Sequence, residues 1–148
     1  MKISGTGSAH PSKIVTNDML TQLFDTSDEW ITTRTGIKER RVISSEYLID
    51  LAVEAARKAL DDAKMNAEDL DFIICSNVVN EYVTPAMSCL IQSAIGAKCP
   101  CMDLNGACVG FIYCLDIAEA YYKIGRVKNV LVVSAEEPSG MLNWHDRT

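Results

Sequence analysis

The chain has 148 residues, 48% of them hydrophobic, which is enough for one domain with a substantial core. Its 20 acidic and 14 basic residues give a net charge of −6 with no basic run, arguing against nucleic acid or an anionic membrane surface as the main partner. No apolar run approaches the roughly 18 residues needed to span a bilayer, so no membrane role is expected.

Met1-Lys2-Ile3-Ser4-Gly5 leads into Gly, Ser and His rather than the apolar centre of a secretory signal. The six cysteines sit mostly within apolar stretches, as in Ile73-Ile74-Cys75 and Tyr113-Cys114-Leu115, where thiols serve as small buried hydrophobes. A reducing, cytoplasmic setting is the simplest expectation. Cys99-Pro100-Cys101 is a C-x-C with no second pair at finger spacing, and His10 and His145 lie far from it in sequence. No structural metal is expected.

In chain order, Lys2 to Ser8 reads as a short strand closed by Gly5, Gly7 and Pro11. Thr16 is placed to cap a short helix through about Phe24. Thr26-Ser27-Asp28-Glu29 has the form of a capping box opening a second short helix, which Gly36 ends. Trp30 and Arg34 lie four apart and project from one face of that helix. Arg34, Lys38, Arg40 and Arg41 form a basic cluster that reads first as a solvated face.

The clearest helical pattern runs from about Glu46 to Ala63, with Leu48, Leu51, Ala52, Ala55, Ala56, Ala59 and Leu60 on one stripe. Phe72 to Ser76 is a continuous apolar strand of the kind buried on both faces. Thr84-Pro85 suggests a cap and a first-turn proline for a helix that stops at Gly96. A second strand spans Cys101 to Leu104, and a helix from about Cys108 to Ile124 is apolar nearly all round in its first half, as in a helix buried between layers. Val130 to Ala135 is a third strand. Strands alternating with helices predict an α/β domain with a mostly parallel sheet.

Cys108 stands apart from the other cysteines by position. It falls at a strand-to-helix junction between Gly106 and Gly110, where backbone can approach a ligand closely and helix amides favour a thiolate. It reads either as a nucleophile or as another structural thiol. Trp30 and Arg34 read either as an anchored surface helix or as a stacking and phosphate-pairing platform for a nucleotide.

The segment Thr26-Ser27-Asp28-Glu29-Trp30-Ile31-Thr32-Thr33-Arg34-Thr35-Gly36-Ile37-Lys38-Glu39-Arg40-Arg41 closely resembles the signature of 3-oxoacyl-[acyl-carrier-protein] synthase III. Gly5-Thr6-Gly7-Ser8, Ile91-Gln92-Ser93 with Gly96, Ala107-Cys108-Val109-Gly110-Phe111, and Asp146-Arg147 follow in the order seen in that family. The resemblance implies a thiolase-like fold with a buried central helix, residues 1–148 forming its N-terminal half and the C-terminal half being absent. It implies the initiating condensation of type II fatty acid synthesis: Cys108 accepts an acyl group from a short acyl-CoA, and malonyl-acyl-carrier protein is then decarboxylated and condensed.

By position, the resemblance places Trp30 and Arg147 around the CoA adenine and Thr26 and Arg34 at its nucleotide end. CoA enters as acyl-CoA substrate, with no permanently bound cofactor, and a homodimer is implied. The family's catalytic His and Asn have no counterparts here, so the chain alone is expected to be incomplete for condensation and to expose an apolar face. Two alternatives remain: a related acyltransferase of secondary metabolism, and a non-catalytic acyl-CoA-binding or dimerisation half.

Overall fold

The computed structural model describes residues 1–80 and 82–146, which form two compact units. The first comprises Met1–Ala9 and Tyr47–Glu137; the second comprises His10–Glu46 and the residues from Pro138 onward.

The first unit is a three-layer α/β/α arrangement. Its sheet contains β3 (Phe72–Ser76), β4 (Cys101–Leu104) and β5 (Val130–Ser134), all parallel, in the order β4-β3-β5. The central strand is completely buried at Ile73, Ile74 and Cys75, which explains its uninterrupted apolar run. Successive side chains point to opposite faces. Ile73, Cys75, Leu131 and Val133 join a core with α3 (Leu48–Ala63) and α4 (Met87–Ile95). Ile74, with Phe72, Met102, Leu104, Val130 and Val132, joins Cys114 and Ala118 of α5 (Gly110–Lys123) on the other face.

The three expected strands and the main helix are thus present, with the helix beginning at Leu48 rather than Glu46. The expected burial of α5 between two layers holds on its sheet side, through Gly110, Cys114 and Ala118. Its other face, at Phe111, Ile112 and Tyr113, is exposed in this chain.

No strand forms over Lys2 to Ser8. That segment lies instead against α3, where a Cβ at Gly5 would fall 2.4 Å from Ala63 N and one at Gly7 would clash with Ala55 O and Ala59 N. The glycines therefore serve close backbone approach, rather than punctuating a paired strand. Between this segment and β5 lies a groove of about 480 Å³, walled by Ala55, Ala59 and Ala63 of α3 on one side and by Phe111 and Leu115 of α5 on the other.

The cap of α4 also departs from expectation. The helix begins after Thr84-Pro85, at Met87, and its cap is remote: Asp103 of β4 accepts from the amides of Met87 and Ser88, each at 2.8 Å. A carboxylate at a helix start satisfies orphan donors and complements the dipole.

The second unit contains an antiparallel pair, β1 (Lys13–Thr16) and β2 (Glu39–Val42), which sequence patterning did not reveal. Thr16 caps α1 (Asn17–Leu20), accepting from Met19 N at 3.3 Å, but the helix lasts only these four residues and ends well before Phe24. In α2 (Asp28–Thr35) the cap is Ser27, accepting from Trp30 N at 3.0 Å, one residue later than the expected capping box. Gly36 ends α2 in the left-handed conformation, φ 72°, as expected. Val15, Leu20 and Ile31 form the core, with Phe24, Trp30, Val42 and Trp144 packed around it.

Candidate active site

Cys108 lies in a 3-10 turn, Ala107–Val109, inserted between β4 and α5. β4 delivers the chain to the carboxyl edge of the sheet, and α5 leaves immediately beyond the turn. Two glycines make this connection possible. A Cβ on Gly110 would fall 2.2 Å from Ser76 Oγ, at the buried end of β3, so only glycine lets α5 start this close to the central strand. A Cβ on Gly106 would lie 2.8 Å from Gly110 Cα and 2.9 Å from Tyr113 Cδ2. Ala107 adopts φ 46°, a left-handed conformation costly for a residue with a Cβ. Strain of this kind, next to a candidate nucleophile, persists where packing over-determines the turn.

All six cysteines are described, and the structure separates them. Cys75, Cys99 and Cys114 are buried, Cys89 and Cys101 are intermediate, and Cys108 is exposed. Burial, followed by the charge of Asp103, pushes the Cys75 and Cys114 thiols up and keeps them protonated within the core. Cys108 alone joins solvent access to a helix start on the sheet's carboxyl edge.

The loops around that edge are held by polar contacts. Asn77 donates to Ala135 O at 2.6 Å and to Val79 O at 3.2 Å. Glu136 accepts from Val78 N at 2.9 Å. These bonds tie the segment after β3 to the segment after β5 without calling on Cys108. Sequence reading missed Asn77, because its partner Ala135 lies 58 residues away.

In the second unit α2 brings Trp30 and Arg34 together: the guanidinium carbon stands 4.3 Å from the indole centroid, in cation–π range. Thr26 precedes the helix, and its buried Oγ1 has no hydrogen-bond partner among the described residues. Arg147 lies outside the described residues. The helix is anchored by buried Asn17, which donates to Asp28 Oδ1 at 2.7 Å and Ile37 O at 2.8 Å and accepts from Arg40 at 2.7 Å. Arg40 also donates to Val15 O at 3.1 Å, so one member of the basic cluster is a structural donor. Among the described residues, no group of three or more His, Cys, Asp or Glu is arranged to hold a metal ion, and no helix is long and apolar enough to cross a membrane.

Comparison with known proteins gives these features a context. The family described as 3-oxoacyl-[acyl-carrier-protein (ACP)] synthase III matches residues 102–148, which include the Cys108 turn. The chain is 46% identical over 148 residues to the beta-ketoacyl-[acyl-carrier-protein] synthase III of Clostridium acetobutylicum, covering 99% of this chain and 46% of that protein. It is 48% identical to the enzyme of that name from Neisseria gonorrhoeae, covering 99% and 47%. The chain therefore spans about half the length of the curated relatives it matches.

The solved 3-oxoacyl-[acyl-carrier-protein] synthase III of Aquifex aeolicus superposes with a TM-score of 0.96 at 46% identity, covering 99% of this chain and 48% of that one. The priming beta-ketosynthase of a polyketide biosynthetic pathway gives a TM-score of 0.94 at 34% identity, covering 99% and 44%. Over the length it spans, the chain is similar to 3-oxoacyl-[acyl-carrier-protein] synthase III proteins and shares their thiolase-like α/β fold.

Proposed function

We propose that this chain carries the acyl-accepting chemistry of an initiating condensing enzyme of type II fatty acid synthesis. The Cys108 thiolate attacks the thioester carbonyl of a short acyl-CoA; the acyl group passes to sulfur and CoA leaves as its thiolate. Malonyl-acyl-carrier protein then loses carbon dioxide, and its carbanion attacks the Cys108 thioester. A carbon–carbon bond forms, the cysteine thiolate is released, and 3-oxoacyl-acyl-carrier protein is the product. The Cys108 amide contributes to holding the oxyanion of each tetrahedral intermediate.

In the same reading Thr26 and Arg34 take the nucleotide end of CoA, while Trp30 and Arg147 flank its adenine. CoA passes through as substrate, with no resident cofactor. The working form is a homodimer in the cytoplasm, which light scattering and fractionation test directly.

The observation that carries this reading is the exposure of Cys108 on a glycine-flanked turn, while the other five thiols are wholly or partly withdrawn. Intact-protein mass spectrometry after exposure to acetyl-CoA should show one acyl adduct, absent from Cys108→Ala. An undiminished adduct in that variant overturns the assignment. The chain alone is proposed to acylate without condensing: His10 and His145 do not fall in the family's His motif, and its Asn has no counterpart, so no group is assigned to stabilise the carbanion.

A second reading, priming in secondary metabolism, is favoured by the likeness to the polyketide priming enzyme. The product formed with malonyl substrates separates the two.

A further inference from the structure

Cys89 and Cys101 are unused by the acylation chemistry, yet they face one another across two rigid elements. Cys89 lies in the first turns of α4, and Cys101 opens β4. The Cys101 thiol donates to Cys89 Sγ at 3.3 Å. Both side chains are only partly buried, so a small oxidant can reach them. The elements are also joined by Asp103, which accepts from the Met87 and Ser88 amides. The two sulfurs are therefore held together by the fold rather than meeting by chance on mobile loops. The separation exceeds a disulfide's bond length of about 2.05 Å by roughly an ångström, a gap that side-chain rotation can close.

We propose that Cys89 and Cys101 form a dithiol site that closes reversibly to a disulfide when the surrounding thiol–disulfide balance turns oxidising. The oxidant class is a small-molecule disulfide such as glutathione disulfide. One cysteine thiolate attacks it, forming a protein–glutathione mixed disulfide and expelling one glutathione thiolate. The second cysteine, as thiolate, attacks the protein sulfur of that mixed disulfide and expels the other glutathione. The two protons from the cysteines end on the two glutathiones, and two electrons pass from the cysteine pair to the oxidant. The product staples α4 to β4, the strand that leads into the Cys108 turn.

Burial, then the bond to Cys89, pushes the Cys101 thiol up to about 11, so little of it is thiolate near neutral pH and closure is slow without an oxidising excess. This suits a site that stays open in a reducing compartment.

The test uses the Cys108→Ala chain, which removes the exposed thiol that would otherwise capture glutathione. It is equilibrated across a series of reduced-to-oxidised glutathione ratios, quenched with acid and mapped by non-reducing peptide mass spectrometry. The expected result is a linkage between Cys89 and Cys101 that appears as the ratio falls, is reversed by dithiothreitol, and raises the melting temperature by roughly 5 °C. Added Cys89→Ser or Cys101→Ser should each abolish it, whereas added Cys99→Ser should leave it. Circular dichroism confirms that each variant is folded. Free thiols at both positions under the most oxidising ratio, or stable glutathione adducts in place of the linkage, overturn the proposal.

Discussion

The α-hydrogen of Gly110 that faces Ser76 fills space no side chain can share, since a Cβ there would fall 2.2 Å from Ser76 Oγ. Gly110→Ala is therefore expected to cost about 1–3 kcal/mol of stability by overpacking, read as a fall in the urea midpoint. Adding Ser76→Gly, which removes the clashing atoms, should recover much of the loss; a purely additive pair would show that the contact is not the cause. The glycines, the cysteine and the strand-to-helix junction could all be read from sequence, because turn glycines are local signals. Asn17 could not. Its partners Asp28, Ile37 and Arg40 lie 11, 20 and 23 residues away and meet only in the fold. Asn17→Ala takes one acceptor from the half-buried Arg40, which keeps Val15 O, and leaves Asp28 and Ile37 O short of a partner. A loss of about 2–4 kcal/mol is expected, with weakened anchoring of the Trp30–Arg34 helix. Equilibrium unfolding measures the first, and indole fluorescence reports the second.

At the scale of elements, legibility followed length and burial. Phe72–Ser76 announced itself because both of its faces are covered, and Leu48–Ala63 because its apolar stripe persists over four turns. The β1–β2 pair did not: each strand has four residues, and Glu39-Arg40-Arg41-Val42 looks like a charge cluster until its partner is known. The α4 cap was misplaced because Asp103 supplies it from another element. A similar remote bond makes the segment before α3 sensitive to acid. Glu46 accepts from Ser12 N at 2.6 Å and from Ser44 N and Ser45 N at 3.2 Å each. These bonds, those with Ser12 foremost, hold its carboxyl far below the usual value of 4.5. A depressed folded-state value means the stabilisation is fully present above about pH 4.5 and is lost as the pH falls through the folded-state value. Melting temperatures taken from neutral to acidic pH should therefore fall less steeply for Glu46→Gln than for the parent. Parallel curves would show that Glu46 carries no share of the acid sensitivity.

Across the whole molecule, the apolar surface is unevenly placed. In the first unit α5 buries Gly110, Cys114 and Ala118 against the sheet, yet Ile112 is 56% exposed and Phe111 43% exposed, with Tyr113, Tyr122 and Ile124 also open. Phe111 turns toward the groove between residues 1–7 and β5, so apolar surface runs from the helix into that groove. Contiguous apolar surface of this kind is unusual on a monomer and favours association and the binding of apolar probes. The purified chain is accordingly expected to enhance the fluorescence of an anilinonaphthalene dye and to increase in mass with concentration in light scattering. Ile112→Glu places a charge on the open face without touching the residues packed on the sheet, so dye binding and association should both fall while the far-ultraviolet helix signal holds. If the parent chain stayed monomeric and bound no dye, the helix would be covered in solution by contacts the described residues do not make. The same patterning that let α5 be read as a doubly buried helix thus leaves, with one side covered, the apolar face on which the expected association rests.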